Sequence, residues 1–394
     1  MKGGAVSEWA PLLRCRLQKS GYTPGALQSL LHITNCDDVG VLNHVAALER
    51  IARDPAPEAM LTRLFFLEND APARDVVAVL SAALCRKLVG AGVLRRRGDR
   101  LSARVRIDPV RHQYCVADRR FRSVDRGALH LHGKDPVYPP SSDSMLLRDA
   151  VVVPQGASVL DLCTGTGVQA LQQADKADRI IAVDINPRAA AMTRVNAELN
   201  GAANLTVRVG DLYSPVRRER LRERFDVIIA NPPFVASPYT AAASYHSGGA
   251  TGDRVLRRII AGLDSHLSEG GRAFAVTHLA LRHGESVETV SARWFKSFPG
   301  RAVILVLETG TAVDLAAAQS LFALDRGLVA YGREVHRWVS YLRRHRIDSV
   351  TLLLIVAERS GQSALEVLDA QQRVLPIPLT RPPAERIQEW LRPP

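Results

Sequence analysis

Residues 158–167 read Ser158-Val-Leu-Asp-Leu-Cys-Thr-Gly-Thr-Gly167, a short apolar run that leads straight into a glycine turn. Gly165 and Gly167 remove side chains where a strand passes into a helix, so a ligand can approach the backbone there. The spacing Gly165-x-Gly167-x-x-Ala170 also satisfies the dinucleotide-binding fingerprint, and Asp184 ends the next apolar run. Alone, the stretch fits a nicotinamide dinucleotide and S-adenosylmethionine equally well.

Beyond residue 150 the sequence alternates between short apolar runs and stretches with helical periodicity. The runs predict strands over residues 158–162, 180–184, 205–209, 227–230, 273–277, 303–307 and 350–357. The intervening pattern predicts helices that include residues 187–199 and 253–267. Near-continuous apolar strands separated by helices are typical of a parallel sheet covered on both faces. We therefore predict an α/β fold with a Rossmann-like, doubly wound and mostly parallel sheet of seven strands.

Residues 1–130 form a separate, mainly helical domain in this interpretation. Helical periodicity marks residues 39–52, 58–67 and 75–88. Asp37 or Asp38 is expected to cap the first of these helices, and Pro57 suits the first turn of the second. A Gly98-Asp99 turn then joins two short strand-like runs and predicts a hairpin. Helices followed by a hairpin suggest a winged-helix-like unit, although the same pattern also fits a protein-docking or dimerisation module.

The chain of 394 residues is long enough for about two domains at ~150 residues each. We place a substrate-docking domain at residues 1–130, a linker that enters the cofactor site at 131–150, a cofactor-binding domain at 151–360 and a C-terminal tail at 361–394. No apolar run approaches the roughly 20 residues that cross a bilayer, and the N-terminus lacks the apolar stretch of a secretory signal. We therefore expect a cytoplasmic protein without a membrane segment.

The charge balance raises the question of a nucleic-acid partner. The formal net charge is +12 at pH 7. Arginines crowd one part of the N-terminal domain, namely Arg95, Arg96, Arg97, Arg100, Arg104, Arg106, Arg111, Arg119, Arg120 and Arg122. If these arginines share a face, they would bind the phosphates of a nucleic acid. The alternative is a solvated, arginine-rich surface without a nucleic-acid partner.

Polar residues that follow successive predicted strands favour S-adenosylmethionine over a dinucleotide. Asp161 lies directly before the glycine turn, where a carboxylate receives an ammonium group but repels a pyrophosphate. Asp211 follows the third strand and suits a hydrogen bond from an adenine amino group. Asn231-Pro-Pro-Phe234 follows the fourth strand. Open parallel sheets bind ligands at the carboxyl ends of their strands, so these residues and Asp184 are expected to share one site.

At this point the sequence resembles a known family, the class I S-adenosylmethionine-dependent methyltransferases of the small-domain type with an Asn-Pro-Pro-Phe/Tyr signature. The resemblance covers residues 137–357 and implies that Asp184 holds the ribose and Asp211 the adenine. It assigns the methionine part to Asp161, Gly165 and Gly167, and it adds to the cofactor-binding set Cys163, Thr164, Ile185, Leu212 and Asn231. Residues 137–144 resemble the segment that enters the cofactor site, and residues 247–253 resemble a glycine loop of the glutamine-modifying branch.

The signature residues Asn231, Pro232, Pro233 and Phe234 are the catalytic candidates. An amide or exocyclic amino nitrogen is a poor nucleophile because its lone pair is delocalised. Acceptors at its N–H groups, the Asn231 side-chain oxygen and the Pro232 carbonyl, would direct the lone pair towards the methyl group. Two prolines stiffen the loop, and Phe234 packs on a planar substrate group. Positioning then supplies most of the rate, and we expect no metal, since five scattered cysteines match no zinc site.

The methyl acceptor stays open among several classes, with S-adenosylhomocysteine as the product in each. We prefer an rRNA or tRNA base, held by the N-terminal arginines and by the basic run Arg217, Arg218, Arg220, Arg222 and Arg224. One alternative is a protein glutamine, as in enzymes that act on release factors. Another is a small molecule, for which the cofactor can also serve other chemistry. A non-catalytic adaptor is the last alternative, and the intact site residues argue against it. The oligomeric state stays open.

Overall fold

A computed structural model describes residues 6–40, 42–124, 127–130, 136–217, 223–239 and 248–370. The chain divides into two compact units that alternate along the sequence. Unit 1 contains Met1–Ser142, Gly165–Gln172 and Arg188–Leu205, and unit 2 contains Asp143–Thr164, Gln173–Pro187 and Thr206–Pro394. The domain boundaries expected from the sequence stay a prediction. In the described part of the chain, no helix combines the length and the apolar composition that crossing a membrane requires.

Helices dominate the first ninety residues, and strands alternate with helices after residue 157. The α-helices of the described residues are α1 (Ala10–Lys19), α2 (Pro24–Leu31), α3 (His44–Arg50), α4 (Pro57–Leu61), α5 (Ala73–Leu80), α6 (Ala82–Gly90), α7 (Ser142–Ala150), α8 (Val168–Leu171), α9 (Pro187–Asn200), α10 (Arg254–His266), α11 (Val287–Phe295), α12 (Ala312–Ser320) and α13 (Leu328–Arg344). The strands are β1 (Ala71–Pro72), β2 (Leu94–Arg97), β3 (Arg100–Ala103), β4 (Arg106–Val110), β5 (Gln113–Ala117), β6 (Phe121–Val124), β7 (Gly127–His130), β8 (Ser158–Leu162), β9 (Arg179–Asp184), β10 (Leu205–Val209), β11 (Phe225–Ala230), β12 (Leu267–Arg282), β13 (Arg301–Thr311), β14 (Ile347–Glu358) and β15 (Ala364–Asp369).

Unit 2 is built on an eight-stranded sheet in the order β10-β9-β8-β11-β12-β14-β13-β15. β8 runs parallel to both of its neighbours, β9 and β11, and β12 runs parallel to β11. β14 is antiparallel to β12 and to β13. Buried strand residues such as Leu160 and Ile228 form a core with Ile259 of α10 and Trp294 of α11. The expected Rossmann-like, mostly parallel sheet is therefore confirmed.

The expected count of seven strands is wrong, because residues 364–369 add an eighth strand where a C-terminal tail was predicted. β15 pairs in parallel with β13, from Arg301↔Ala364 to Val306↔Asp369. Leu365 and Val367 pack on the core, while the residues between and beside them are exposed or half-buried. An edge strand of this kind is buried on one side only, so its apolar residues alternate with polar ones and form no continuous run.

Unit 1 contains the predicted hairpin, while its helices differ from the prediction in extent. β2 and β3 pair in antiparallel fashion with Gly98-Asp99 at the turn, and β1 pairs with β3 on its other side. Pro57 opens α4 as expected. The single helix predicted over residues 75–88 is two helices, α5 and α6, because Ser81 has a φ of +73° and interrupts the helical backbone. α1 and α2 are two further helices that the periodicity did not indicate.

Neither Asp37 nor Asp38 caps helix α3, contrary to the prediction. The helix begins at His44, well beyond both residues. The Asp38 carboxylate instead accepts hydrogen bonds from the backbone N–H groups of Thr34 and Asn35, at 2.7 and 2.8 Å. It therefore closes the turn that precedes it in the chain, a local alternative that is open to aspartate wherever backbone donors lie nearby.

A buried ion network ties together the strands and turns of unit 1. The guanidinium of Arg106, on β4, is almost fully buried, and its Nε lies 2.9 Å from each carboxylate oxygen of Asp108. The same guanidinium donates to the Phe66 carbonyl at 2.9 Å and lies 3.7 Å from the Glu68 carboxylate. Burial opposes its charge, yet the carboxylates of Asp108 and Glu68 raise the pKa of Arg106 above its ordinary value. The arginine therefore stays charged inside the unit.

Replacing Arg106 by leucine should destabilise the protein by about 3–5 kcal/mol, because the buried Asp108 carboxylate loses its cation, while Glu68 loses one and keeps Arg119. Chemical unfolding followed by circular dichroism measures this change in the free energy of unfolding. Arg100→Leu is the matched control, since the Arg100–Asp70 ion pair is about half exposed and should contribute at most about 1 kcal/mol. Equal losses of unfolding free energy in the two variants would mean that the buried network stabilises the protein no more than the exposed ion pair does.

Candidate active site

Strand β8 ends in a buried carboxylate. Asp161 is only 1% exposed, and its Oδ2 accepts a hydrogen bond from Thr164 Oγ1 at 2.6 Å. The backbone N–H of Thr164 donates to the Val183 carbonyl at 3.1 Å, which ties the turn to β9. Between them, Cys163 has a φ of +59°, a left-handed conformation that turns the chain sharply. The predicted residues Asp161, Cys163 and Thr164 thus lie together at the carboxyl end of β8.

Strand β9 brings Asp184 to the same edge of the sheet. The register of β8 and β9 ends at Leu162↔Val183, so Asp184 follows at the level of the turn. Its Oδ1 accepts from the backbone N–H of Asn186 at 2.8 Å, and the carboxylate is buried. The next residue, Ile185, is instead 52% exposed. A buried acceptor and an exposed apolar side chain therefore stand next to each other at this strand end.

Asp211 lies beyond the end of β10 and has a partner that the sequence does not indicate. Its Oδ2 accepts a hydrogen bond from Nη2 of Arg258, on α10, at 2.6 Å. Both side chains are about half exposed. Leu212 beside it is buried, with a φ of +49°. Arg258 was missed because an arginine on the polar face of an amphipathic helix gives no sign of the residue it meets.

Three of the predicted carboxylates converge on one thiol. Burial raises the pKa of Cys163 well above its ordinary value, the charges of Asp184, Asp161 and Asp211 raise it further, and Arg258 opposes them. The backbone N–H of Gly210, directly before Asp211, donates to the Asp184 carbonyl at 2.9 Å, and Asp184 follows the residue that pairs with Leu162. The ends of β8, β9 and β10 therefore lie together.

The glycine turn belongs to unit 1 and is shaped by helix α9. Gly165 and Gly167 have φ values of +57° and +81°, which glycine adopts without strain. A Cβ at Gly167 would lie 2.6 Å from Cγ2 of Thr193, so no side chain fits there. The hydroxyl of Thr193 also donates to the Gly165 carbonyl at 2.9 Å. Both glycines are thus required by the backbone conformation, and Gly167 also by the close approach of the helix.

The segment Asn231-Pro-Pro-Phe234 follows β11, and the first turn of α7 orients its asparagine. Asn231 Nδ2 donates to Asp143 Oδ2 at 3.0 Å and lies 3.4 Å from Ser144 Oγ. A carboxylate only accepts hydrogen bonds, so the amide turns its NH2 group towards Asp143 and its oxygen away from it. Pro232 is buried and Asn231 is half-buried. Asp143, from the segment predicted to enter the site, therefore sets the orientation of Asn231.

The glycine loop packs against the Asn231–Phe234 segment. Gly252 has a φ of +82°, and a Cβ there would lie 2.2 Å from the carbonyl oxygen of Phe234. The Asp253 carboxylate accepts from Thr251 Oγ1 at 2.7 Å and from Trp294 Nε1 at 3.1 Å, which anchors the loop to α11. The described part of the predicted loop, residues 248–253, thus packs directly against the signature.

His278, on β12, is a further residue of the site that the sequence did not indicate. Its imidazole stacks on the Phe234 ring, with ring centroids 4.6 Å apart. Burial lowers the pKa of His278, and the charges of Asp143 and Glu308 offset this effect only in part. The imidazole is therefore neutral at pH 7 and serves as a flat surface for Phe234. A single histidine within an apolar run does not indicate a stacking contact with a distant phenylalanine.

Several of the basic residues predicted to bind nucleic acid have partners within the protein. Several N-terminal arginines are paired with carboxylates, namely Arg100, Arg106, Arg119 and Arg120. Arg224 donates to the Asp264 carbonyl at 3.0 Å. Three other arginines of the basic run, Arg218, Arg220 and Arg222, lie outside the described residues, as does Ser247. Charge counted along the sequence therefore overstates the cationic surface that unit 1 offers.

Thiol alkylation tests the convergence of the carboxylates. At pH 8, iodoacetamide should modify the exposed Cys15 at least about tenfold faster than Cys163, because the thiolate is the reactive form and its formation is suppressed at Cys163. Asp184→Asn removes one of the nearby negative charges and should speed the reaction of Cys163. Peptide mass spectrometry over time gives both rates, and equal rates for the two thiols would contradict the geometry.

Two families match the chain. The Methyltransferase small domain matches residues 142–293, the part that contains the carboxylate cluster, the glycine turn and the signature. A domain of unknown function, DUF7059, matches residues 19–104. The site at the carboxyl edge of the sheet therefore lies within the first match. Helices α2–α6 and the β2–β3 hairpin lie within the second.

One curated relative matches most of the chain, and others match shorter parts of it. A release factor glutamine methyltransferase of Xylella fastidiosa (strain Temecula1) is 32% identical over 309 residues, which cover 73% of this chain and 95% of the relative. A Methanocaldococcus jannaschii protein, assigned as a protein N5-glutamine methyltransferase, is 36% identical over 149 residues, 36% of this chain and 72% of the relative. A ribosomal protein uL3 glutamine methyltransferase of Burkholderia pseudomallei is 35% identical over 129 residues, 29% of this chain and 42% of the relative.

The family follows from the length of these matches together with the fold. One relative is matched over nearly its whole length, and the family domain covers the carboxyl edge of the sheet. The carboxylates gathered at that edge suit a cationic cofactor. The chain therefore belongs to the class I S-adenosylmethionine-dependent methyltransferases with a methyltransferase small domain, enzymes that take the methyl group from S-adenosylmethionine and release S-adenosylhomocysteine.

Proposed function

We propose that this enzyme methylates the side-chain amide nitrogen of a glutamine in a protein substrate. The observation that carries the proposal is the orientation of Asn231, whose Nδ2 donates to Asp143 at 3.0 Å and whose Oδ1 therefore faces the other way. An acceptor held in this way suits an N–H group of a primary amide. The relatives support the substrate class, since they are named for glutamine methylation of a release factor and of a ribosomal protein.

The charge of the site supports S-adenosylmethionine in preference to a dinucleotide. When bound, this cofactor supplies a methyl group that its positively charged sulfur makes electrophilic. Asp161 and Asp184 place negative charge at this edge of the sheet, and Asp211 adds to it in part, since Arg258 pairs with Asp211; the charge attracts an ammonium or sulfonium group and repels a pyrophosphate. Asp161 would receive the ammonium, Asp184 the ribose hydroxyls and Asp211 the adenine amino group. Backbone and apolar groups would complete the site, from Cys163, Thr164, Gly165, Gly167, Ile185, Leu212 and Asn231.

The signature loop would act on the substrate amide by positioning it. Asn231 Oδ1 and the Pro232 carbonyl would accept its two N–H groups, so that the nitrogen lone pair points at the methyl carbon. The two prolines limit rearrangement of the loop. Phe234, supported by the imidazole of His278, offers a flat surface to the planar amide. As the new nitrogen–carbon bond forms, the carbon–sulfur bond breaks, and the nitrogen then releases one proton to solvent.

The observations favour a protein over the RNA base that the net charge first suggested. Arg106 is buried in an ion network, and Arg100 and Arg120 are paired with Asp70 and Asp37. The relatives reported above are named for protein substrates. RNA as the preferred substrate is therefore not supported, and the glutamine alternative takes its place.

Methyl transfer from radiolabelled S-adenosylmethionine tests the proposal. A purified bacterial release factor and total bacterial RNA are offered separately, and we expect label on a glutamine of the protein and none on the RNA. Asn231→Ala should lower kcat at least about 100-fold while the affinity for S-adenosylhomocysteine stays within about twofold, because this acceptor acts on the substrate. Label on RNA alone would overturn the glutamine assignment. Equal loss of turnover and cofactor binding would overturn the role of Asn231.

Asp143→Asn tests the orienting contact. An asparagine at this position can donate as well as accept, so Asn231 is no longer restricted to one orientation. We expect kcat to fall about tenfold, with KM for S-adenosylmethionine within about twofold of the parent value. Ser144→Ala is the control on the neighbouring residue, because its contact of 3.4 Å contributes little. Steady-state kinetics measures both variants, and parental kcat in Asp143→Asn would refute the orienting role.

A further inference from the structure

Helix α9 presents two asparagines, one turn apart, to the edge of β5. The Asn200 amide accepts from the backbone N–H of Tyr114 at 2.8 Å and donates to the carbonyl of the same residue at 2.7 Å. Asn196 repeats the arrangement with Val116, at 2.7 and 2.9 Å. The two side chains therefore satisfy the backbone of β5 as a neighbouring strand would.

The second donor of each amide goes to a different place. Asn200 Nδ2 also donates to the Asn196 carbonyl at 2.8 Å, within the helix itself. Asn196 Nδ2 also donates to the Thr166 carbonyl at 2.8 Å, at the centre of the glycine turn. Asn196 is fully buried, and both of its N–H groups and its oxygen are engaged. One planar amide thus connects the glycine turn to β5.

The glycine turn depends on such external support. Gly165 and Gly167, on either side of Thr166, both have positive φ values, and glycine leaves the backbone more conformations than any other residue. Thr193, also on α9, holds the Gly165 carbonyl at 2.9 Å. The shape of the turn is therefore set by contacts from α9 rather than by its own stiffness.

We propose that Asn196 is a positioning residue for the cofactor, which holds the glycine turn in its binding conformation while β5 is docked on α9. The inference rests on the proposed placement of S-adenosylmethionine at this turn. If β5 leaves the helix, the amide loses two of its three hydrogen bonds and is free to rotate away from Thr166. The hairpin of β4 and β5 would in this way tune cofactor affinity from the N-terminal part of the chain.

Matched leucine substitutions separate this role from ordinary packing. Asn196→Leu and Asn200→Leu each remove one amide from the β5 edge, but only Asn196→Leu releases the Thr166 carbonyl. Titration calorimetry with S-adenosylhomocysteine should show about tenfold weaker binding to Asn196→Leu, and binding to Asn200→Leu within about twofold of the parent. Thermal unfolding of each variant establishes that it is folded before the titration.

Parental affinity in a folded Asn196→Leu would overturn the inference. Equal weakening in both variants would overturn it as well, since that result means a general loosening of α9. A parent protein that does not bind S-adenosylhomocysteine would instead refute the proposed placement of the cofactor. The two failures are therefore distinguishable.

Hydrogen exchange of the unmodified protein tests the same connection if Asn196→Leu does not fold. Saturating S-adenosylhomocysteine should slow amide exchange in residues 113–117 at least about threefold, because a restrained turn holds Asn196 and thereby the Val116 N–H. Residues 94–103 of the β2–β3 hairpin serve as the internal control and should not change. Unchanged exchange in residues 113–117 would overturn the inference.

Discussion

The parallel pairing of β8 between β9 and β11 is the constraint on which the site depends. Leu162 pairs with Val183 on one side and with Ala230 on the other, so the three strands end at one level. Asp184 and Asn231 therefore leave the sheet at the same level, on either side of the turn that follows β8. A shift of one residue in either pairing would turn the side chains of that strand to the opposite face and disperse the site.

Planar amides take part in two of the orienting contacts, one in the site and one in its scaffold. Asn231 uses its NH2 group against the Asp143 carboxylate, which leaves its oxygen for a substrate. Asn196 and Asn200 use the donor and the acceptor together and thereby complete the backbone hydrogen bonds of β5. An asparagine offers both functions in one plane, which a carboxylate or an alcohol cannot do with the same geometry. The site and its scaffold thus rely on the same chemical group.

The pattern of apolar runs predicted the central strands well and the two edge strands unevenly. β8 and β10 match their predicted bounds, and β9 and β11 begin one and two residues early. β8, β9 and β11 are buried on both faces, so their runs are continuous and easy to recognise. β10 is an edge strand without a buried residue, and its alternation of apolar and polar residues was still recognised. β15, at the other edge of the sheet, was missed, and the break at Ser81 was missed because a positive φ at serine has no sequence signature. Local periodicity thus indicates buried strands more reliably than edge strands or unusual backbone.

The positions of the central strands along the chain, and the carboxylate or asparagine that follows several of them, could be predicted from residue types, because apolar runs and strand ends are both local features of the chain. The folded structure alone supplied the partners: Asp143 for Asn231, 88 residues apart, and Val116 for Asn196, 80 residues apart. It likewise decided that Arg106 is buried in an ion network rather than exposed. Such contacts depend on how distant elements pack, and no local pattern of residue types encodes which donor will meet which acceptor.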